Sequence, residues 1–358
     1  MKQSRFSFKW SRITESKLFF PCVALALILL FDLIFVPSIF KIETRDGNLY
    51  GSLIDIVRNG STVSLLAIGM TLVIATGGVD LSVGAVMAIA ASVAALLMNP
   101  YVLAKELPPH LMKLINDPHF TFQPLWVVIL VTLVSAIICG LWNGLLVAYM
   151  RIQPMVATLI LMIAGRGIAQ LITNGVRIQI FYEPYAFIGQ GWIILPFSLY
   201  LVAFVFAVAW ILTRKTAIGL FIESVGINSR SSFFSGIDEK KIKILAYTFC
   251  GFCAGIAGLV ASSNIKTSDA NNIGLTLELD AILAVVIGGT LMSGGRFSLL
   301  ASIIGAWVIQ AITTSMYALG VPAFALQAIK GLVVIFVILL YSEQVRGFLR
   351  RITVPNQA

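Results

Sequence analysis

The sequence predicts an all-α, polytopic membrane protein with about ten transmembrane helices and both termini on the cytoplasmic side. Two observations predict the class. The chain is 59% hydrophobic and only 11% charged, whereas soluble domains carry about 25% charged residues. Long apolar runs, near the ~20 residues that a spanning helix needs, follow one another with short polar intervals between them. A third observation, the placement of the basic residues, predicts the orientation.

Each apolar run is interpreted as one span. The first run follows a basic stretch and lacks a small-residue cleavage site, so we expect an uncleaved span rather than a signal peptide. Residues 18–341 should then form one transmembrane domain between a basic cytoplasmic N-terminus, 1–17, and a cytoplasmic tail, 342–358. The predicted spans are 18–36, 56–76, a third that follows Gly84 and ends at Met98, 124–148, a fifth from about 155, a sixth from about 194, 244–262, 276–292, 299–317 and 323–341.

Basic residues fall mainly in the intervals that this order places inside. Of the 25 Lys and Arg, 16 lie there and three lie in or at the edges of spans. The six in predicted outer intervals are Lys41, Arg45, Lys105, Lys113, Arg177 and Lys266. Because cytoplasmic loops are enriched in Lys and Arg, the opposite orientation is disfavoured. The clustering beside apolar spans indicates a lipid bilayer as partner and no nucleic acid.

Two glycine-rich turns follow the second and eighth spans. Each is too short to be a solvated loop, so its backbone must be buried in protein or line a watery cavity. In the first turn, Asp80 and Ser82 are expected to satisfy exposed amides of the next helix. The turns align at an offset of 211 residues, which fits either a duplication or two hairpins with the same packing need. Their residues are Gly77, Gly78, Asp80, Ser82 and Gly84, and Gly288, Gly289, Ser293, Gly294 and Gly295.

Residues 214–243 form a charged segment between two long apolar runs, with six basic residues. Asn228 can cap a short helix over residues 229–234, and Gly236 can end it in a left-handed conformation. Two phenylalanines would give that helix an apolar end. The segment is interpreted either as the docking point of a cytoplasmic partner or as an ordinary loop.

No motif in the chain supports catalysis or metal binding. The GxxxxGK[ST] loop of ATP-binding proteins is missing, as is HExxH, and both histidines lie in one polar interval. Cys250 and Cys253 have CxxC spacing but lie in an apolar run with no second pair, so packing is their expected role. We therefore predict no enzyme activity, no cofactor and no metal.

Several polar residues lie inside or beside the predicted spans, where an isolated charge is costly. Arg166 should either pair with a neighbouring element or line a passage. Glu278 and Asp280 are two positions apart, so on a helix they face away from each other, and capping that helix is the simpler role. Amides suit either an uncharged polyhydroxylated solute or helix–helix hydrogen bonds. The candidate residues of a translocation path are Asn143, Arg166, Gln170, Asn264, Glu278, Asp280 and Gln310.

Three stretches closely resemble the permease subunits of bacterial ABC sugar importers, in the ribose, arabinose, xylose and galactose branch, and in particular the galactofuranose type. They are LLAIGMTLVIATGGVDLSVGAVMAIA (65–90), LWNGLLVAYMRIQPMVATLILMIAGRGIAQLIT (141–173) and ELDAILAVVIGGTLMSGGRF (278–297). The segment 214–243 is similar to the cytoplasmic coupling loop of that family. Its matching residues are Thr216, Ala217, Ile218, Gly219, Gly226, Ile227, Asn228, Ser235, Gly236 and Ile237, and it departs at Ser231 and Ser232, where family members often carry alanines. The coupling residues implied by the resemblance are Gly226, Asn228, Arg230, Ser235, Gly236 and Ile237.

The resemblance implies a core of two permeases, either identical or different, in the bacterial inner membrane. It also implies two cytoplasmic ATPase subunits, which hydrolyse the ATP, and a periplasmic sugar-binding protein. The helix at 229–234 would fit a cleft of the ATPase. A monosaccharide, with galactofuranose as one candidate, would cross from the periplasm to the cytoplasm.

Two other classes of function stay open at this stage. A polytopic enzyme acting on a lipid-linked sugar would need an acid or base at the membrane surface, and Asp80 is its one candidate. A passive sugar channel would conduct without ATP.

Overall fold

The computed structural model describes residues 18–45, 48–99, 117 and 119–341. The predictions for the N-terminus, the C-terminal tail and His110 lie outside these residues. Within them the chain is mainly helical, as the sequence predicts, and the strands there form three short antiparallel pairs. The multi-pass membrane class is confirmed, and the count of ten spans stays a prediction.

The described part of the chain contains thirteen α-helices and six short strands. The helices are α1 (Phe19–Phe35), α2 (Ser52–Ala75), α3 (Val83–Met98), α4 (Leu125–Ala148), α5 (Pro154–Thr173), α6 (Glu183–Gln190), α7 (Phe197–Arg214), α8 (Ile218–Ile227), α9 (Ser229–Phe234), α10 (Glu239–Ile265), α11 (Leu277–Ile287), α12 (Leu299–Ala318) and α13 (Ala323–Tyr341). The paired strands are β1 (Glu43–Arg45) with β2 (Asn48–Tyr50), β3 (Ile178–Gln179) with β6 (Thr267–Ser268), and β4 (Trp192–Ile193) with β5 (Leu195–Pro196).

Six of the described helices are long and apolar enough to cross a membrane by length and composition: α2, α4, α5, α7, α10 and α12. Helices α1 and α3 are apolar but shorter. Helix α11 has 11 residues, or about 16 Å at 1.5 Å per residue, roughly half of the hydrocarbon thickness. The predicted eighth span, 276–292, is therefore wrong in length, because the helix ends at Ile287.

Helix α2 lies in the middle of the bundle. From Gly60 to Ala75 it is buried at every position except Thr62, and α7, α10, α11 and α12 pack against it. A helix that is apolar on all sides belongs in a core rather than at a surface. The lipid-facing positions are correspondingly found on outer helices such as α4, where Trp126 and Trp142 are exposed.

Helix α10 packs closely on α2 and α4 because glycines at the contacts leave no side chain between the helices. A Cβ on Gly69 of α2 would lie 2.9 Å from Cα of Cys250 and 3.1 Å from Cβ of Cys253. Both cysteines are free and fully buried, so their predicted packing role is confirmed. On the other side, a Cβ on Gly140 of α4 would overlap the carbonyl oxygen of Tyr247 and lie 3.0 Å from Cα of Gly251.

The two glycine-rich turns begin with the same backbone motif. Gly77 and Gly289 have φ of +81° and +77°. Their N–H groups, with those of Gly78 and Thr290, donate at 2.8–3.2 Å to the last carbonyls of α2 and α11, which is the Schellman arrangement. Equivalent residues therefore differ by 212 positions. The alignment by residue type pairs Gly77 with Gly288 instead, although Gly288 has helical φ of −65°.

We predict that Gly140→Ala lowers the free energy of unfolding by about 1–3 kcal/mol, because the new methyl group forces α4 away from α10. The measurement is thermal unfolding of the purified protein in detergent. Gly167→Ala is the matched control: it also lies in a helix, but nothing lies within 4 Å of its Cβ position. That control should be neutral or stabilising by up to ~1 kcal/mol, and equal effects of the two variants would contradict the close contact.

Candidate functional site

Helix α9 is held at both ends by the residues that the sequence predicts. The side-chain oxygen of Asn228 accepts a hydrogen bond from the N–H of Ser231 at 3.0 Å. At the other end Gly236 has φ of +82°, and the N–H of Ile237 donates to the carbonyl of Ser232 at 3.0 Å. Because a helix of only six residues is marginal by itself, these caps and its packing are what keep α9 formed.

The surface of α9 carries an apolar tip beside basic residues. Phe233 and Phe234 are 66% and 78% exposed, and Arg230 is exposed on the same helix. A cavity of about 630 Å³ lies alongside, lined by these three residues, by Ser229, by the basic Arg151 and Lys240 and by the acidic Asp238 and Glu239. Aromatic and arginine side chains are enriched at protein–protein interfaces, so this surface has the composition of a docking site.

Asp238 fixes the chain where it leaves α9 and enters α10. Its side chain accepts hydrogen bonds from the backbone N–H groups of Lys240 and Lys241 at 3.1 and 3.4 Å, and it lies 3.4 Å from Nζ of Lys241. Desolvation is the largest single effect and raises the pKa of Asp238, but these bonds and the charge of Lys241 together outweigh it and hold the pKa below its usual range. The carboxylate therefore stays ionised as an N-cap.

Four glycines join the basic segment to both glycine-rich turns, and we call Gly77, Gly226, Gly294 and Gly295 the glycine junction. The N–H of Gly295 donates to the carbonyl of Ala75, the last residue of α2, at 2.9 Å. A Cβ on Gly226 would overlap that same carbonyl oxygen. A Cβ on Gly294 would lie 2.9 Å from both the oxygen of Gly226 and the nitrogen of Gly77. Three backbones therefore meet with no side chain between them, two residues before the cap of α9.

The first turn continues into a buried polar cluster. Asp80 is 1% exposed, and its Oδ1 accepts from the backbone N–H and the hydroxyl of Ser82 at 2.9 and 2.6 Å. Asn143 donates to the hydroxyl of Ser82 at 2.8 Å and to Asp80 at 3.3 Å. The expectation that Ser82 satisfies an amide of α3 is wrong, because its hydroxyl donates to Asp80 and caps no helical N–H.

Glu278 and Asp280 face opposite neighbours at the start of α11, as their spacing predicts. Asp280 pairs with Lys330 of α13 at 2.9 Å. Glu278 lies close to Gly84 and is attracted by Arg166 of α5. Because two carboxylates also suit the positive end of a helix dipole, α11 is held firmly at this end despite its short length.

Helix α5 secures the segment that leads into α11. Arg166 Nη1 donates to the carbonyls of Ala270 and Ile273 at 3.0 and 2.6 Å, so of its two predicted roles the structure shows the pairing one. One helical turn further on, Gln170 donates to the side chain of Asn271 at 2.5 Å. Arg166 thus satisfies two carbonyls of the 269–276 segment, and other backbone groups of the segment bond to one another, as non-helical backbone within apolar surroundings must.

A cavity of about 460 Å³ opens at the opposite end of α2, about 24 Å along the helix from Ala75. We call it the amide-lined cavity. Its amide side chains are Asn59, Asn264, Asn272 and Gln310, and its charged residues are Arg177 and Asp269. The volume lies within the ~300–1,000 Å³ of small-molecule sites, and the chemistry is that of hydrogen bonding to a neutral, hydroxyl-rich solute.

Asp269 connects this cavity to the strand pair β3–β6. It pairs with Arg177 at 2.7 Å and accepts from the side chain of Asn272 at 2.8 Å and the N–H of Asn271 at 3.0 Å. Partial burial raises the pKa of Asp269, but these hydrogen bonds and the charge of Arg177 outweigh it and hold the pKa below its usual range.

These features define a class: a multi-pass membrane transport subunit with an exposed surface of aromatic and basic residues at one end, the amide-lined cavity at the other, and no nucleotide-binding loop in its sequence. Residues 52–341 match the family described as branched-chain amino acid transport system, permease component. The chain belongs to this family of permeases. It is therefore a transport component and not a catalytic chain.

Three relatives illustrate the similarity. The galactofuranose transporter permease protein YtfT of Escherichia coli K12 is 47% identical over 90% of this chain and 89% of its own length. The fructose import permease protein FruF of Bifidobacterium longum is 36% identical over 94% and 90%. The ribose import permease protein RbsC of E. coli K12 is 29% identical over 85% and 90%. No solved structure shows a significant match.

The structure separates the predicted path residues into three places. Asn264 and Gln310 share the amide-lined cavity. Arg166, Gln170 and Glu278 surround the segment leading into α11, with Asp280 on its far side, whereas Asn143 lies in the Asp80 cluster. The sequence interpretation did not single out Asn59 and Asn272, which also line the cavity. The sequence does contain an indication of both residues, because each has an amide side chain in or beside a predicted span.

We predict that Asp269→Asn lowers the apparent free energy of unfolding by about 1 kcal/mol at pH 7, because an amide keeps only some of the hydrogen bonds and loses the ion pair. Since the pKa of Asp269 is lowered by folding, its contribution is present above the unfolded-state pKa of about 3.9 and disappears as the pH falls through the folded-state value.

Thermal unfolding from pH 7 to pH 3 tests this. The difference between the wild type and Asp269→Asn should narrow towards the acid end. Arg177→Gln and the double variant complete a mutant cycle, in which a coupling energy of zero at pH 7 would contradict the ion pair's contribution.

Proposed function

We propose that this chain is the membrane-spanning permease subunit of an ATP-driven importer that moves a monosaccharide from the periplasm to the cytoplasm across a bacterial inner membrane. The observation that carries the proposal is the likeness over nearly the whole chain to permeases named for galactofuranose, fructose and ribose. Galactofuranose is the first candidate substrate, because the relative named for it shares 47% of aligned residues.

The proposed arrangement has ten spans, both termini in the cytoplasm and residues 18–341 as the transmembrane domain. The 214–243 segment then faces the cytoplasm, and the amide-lined cavity faces the periplasm. A cytoplasmic ATPase subunit docks on α9, a periplasmic sugar-binding protein delivers the sugar, and a second permease, identical or different, completes the pathway.

The glycine junction provides a physical connection through which movement of the ATPase subunit reaches the membrane domain. ATPase closure moves α9 through its exposed Phe233, Phe234 and Arg230. Gly226, in α8 just before α9, carries the displacement to the backbones at Ala75 and Gly295. Because no side chain separates these backbones, little of the movement is absorbed locally, and the ends of α2, α11 and α12 shift together. This assigns the coupling role to Gly226, Asn228, Arg230, Ser235, Gly236 and Ile237.

Neither alternative class gains support. An enzyme acting on a lipid-linked sugar needs an accessible acid or base, but Asp80 is 1% exposed and bonded to Ser82 and Asn143. The named relatives are import permeases, which also disfavours a passive channel.

We predict that vesicles containing this chain with the ATPase, binding protein and any second permease encoded beside it take up radiolabelled monosaccharide only when ATP is supplied. Gly236→Val should abolish both uptake and the stimulation of ATPase activity, because valine at φ +82° disrupts the end of α9.

Gly320→Val is the matched control. Gly320 also has positive φ, +77°, with nothing within 4 Å of its Cβ position, but it lies in the turn after α12. That variant should keep uptake. Equal transport by Gly236→Val and the wild type would refute the docking assignment, and uptake without ATP would favour a channel.

The orientation has its own test. In a variant without its four native cysteines, Arg230→Cys should react with a membrane-impermeant maleimide only from the cytoplasmic side. Val176→Cys, which is exposed next to β3 at the other end of the molecule, should react only from the periplasmic side. Labelling of Arg230→Cys in intact cells would overturn the proposed topology.

A further inference from the structure

The amide-lined cavity has properties of a built binding site rather than a gap between helices. Its lining comes from α2, α10, α12, the 267–277 segment and Arg177, which precedes β3. Polar side chains converge on it over an apolar lining that includes Val63 and Ile273. Sites for small ligands commonly combine an apolar wall with a few placed polar groups.

Asn264 is held in one orientation by a second layer of contacts. Its Oδ1 accepts from Nη2 of Arg58 at 2.6 Å. Arg58 is itself held by the carbonyl of Gly189 at 3.3 Å, and Gln190 donates to the backbone carbonyl of Asn264 at 2.7 Å. Because a guanidinium can only donate, the amide oxygen must face Arg58. The NH₂ group of Asn264, which bonds no other described residue, is left as a fixed donor.

Asn272 is oriented in the opposite sense. Its Nδ2 donates to Asp269 at 2.8 Å, and Asp269 is locked by Arg177 at 2.7 Å. Because a carboxylate can only accept, the nitrogen of Asn272 must face Asp269. Its amide oxygen is therefore a fixed acceptor. Gln310 makes one long hydrogen bond, 3.5 Å to Thr314. The carbonyl oxygen and the NH₂ group of its amide can therefore both reorient.

The described lining of the cavity carries no unpaired charge. The two ionised side chains of its described lining, Arg177 and Asp269, are paired with each other. A charged ligand would have to break that pair or stay uncompensated, whereas neutral hydroxyls match one fixed donor, one fixed acceptor and an adaptable amide. The chemistry selects an uncharged polyol of about the size of one sugar ring.

We propose that the amide-lined cavity binds one uncharged monosaccharide, with Asn264 and Asn272 reading adjacent hydroxyls and Gln310 closing on a third. This rests on the proposed import function and assigns it a sugar-binding station within the permease itself. The sugar occupies this station after release from the binding protein and before it passes the level of the glycine junction.

Direct binding tests the station independently of transport. Saturation-transfer NMR would use the purified full chain in nanodiscs, with D-galactose and D-ribose as probes and D-galacturonate as the charged comparison. The wild type should show transfer to both neutral sugars, and galacturonate should compete at least about tenfold more weakly. Asn264→Ala and Asn272→Ala should each weaken binding about threefold to tenfold, as loss of one hydrogen bond does.

Asn271→Ala is the matched control, since Asn271 lies in the same segment but bonds Gln170 and does not line the cavity. It should bind as the wild type does. No transfer from the wild type, or equal weakening by Asn271→Ala and Asn272→Ala, overturns the station. The same holds if galacturonate competes as well as the neutral sugars.

A second readout separates failure of the station from failure of the import function. In the reconstituted importer, Asn264→Ala and Asn272→Ala should lower the sugar moved per ATP severalfold, with ATPase stimulation by the binding protein retained. A purely structural role would lower both together. If the wild type binds sugar but shows no ATP-dependent uptake, the import proposal fails while the binding proposal holds. If both variants move as much sugar per ATP hydrolysed as the wild type, the cavity is not part of the transport pathway.

Discussion

Backbone polar groups in apolar surroundings must find partners inside the protein, and this constraint shapes the molecule wherever a helix is interrupted. The residues after α2, before α11 and after α11 are not helical. These non-helical segments are tolerated because their backbones bond to each other or their carbonyls accept hydrogen bonds from side chains. Arg166 satisfies two carbonyls before α11, and Gly295 satisfies the carbonyl of Ala75. Glycine is required at Gly226 and Gly294 because a Cβ at either position would clash with backbone atoms of the neighbouring segments.

The same contacts have a mechanical consequence. Backbones in direct contact transmit displacement with less local adjustment than long side chains allow, because packed interiors deform little. The glycine junction places the segment before α9 against the ends of α2 and α12. Gly84 and Gly274 form a second direct contact between backbones, since a Cβ on Gly274 would lie 2.9 Å from Cα of Gly84. Under the proposed function, these contacts connect the docking surface at α9 to the core of the bundle.

The two ends of the molecule use their charges differently. At the α9 end, Arg230 and its basic neighbours are exposed beside an apolar tip, an arrangement suited to a protein partner. At the other end, Arg58, Arg166 and Arg177 are bonded to protein oxygens. Those cations orient amides and fix loops, and the two charged residues of the described cavity lining, Arg177 and Asp269, are paired with each other. A lining without an unpaired charge favours hydroxyls over ions, in keeping with permeases named for sugars.

The sequence by itself determined the membrane class, the approximate positions of the six long apolar helices and the capped helix α9, because these depend on local hydropathy, charge and capping. It also singled out the glycine-rich turns and Asn264 with Gln310. Only the tertiary structure showed that Gly226, Gly77 and Gly294 meet, that α11 stops at Ile287, and that Arg58 and Asp269 orient the amides of one cavity. Those facts depend on contacts between residues up to about two hundred positions apart, which no local pattern encodes.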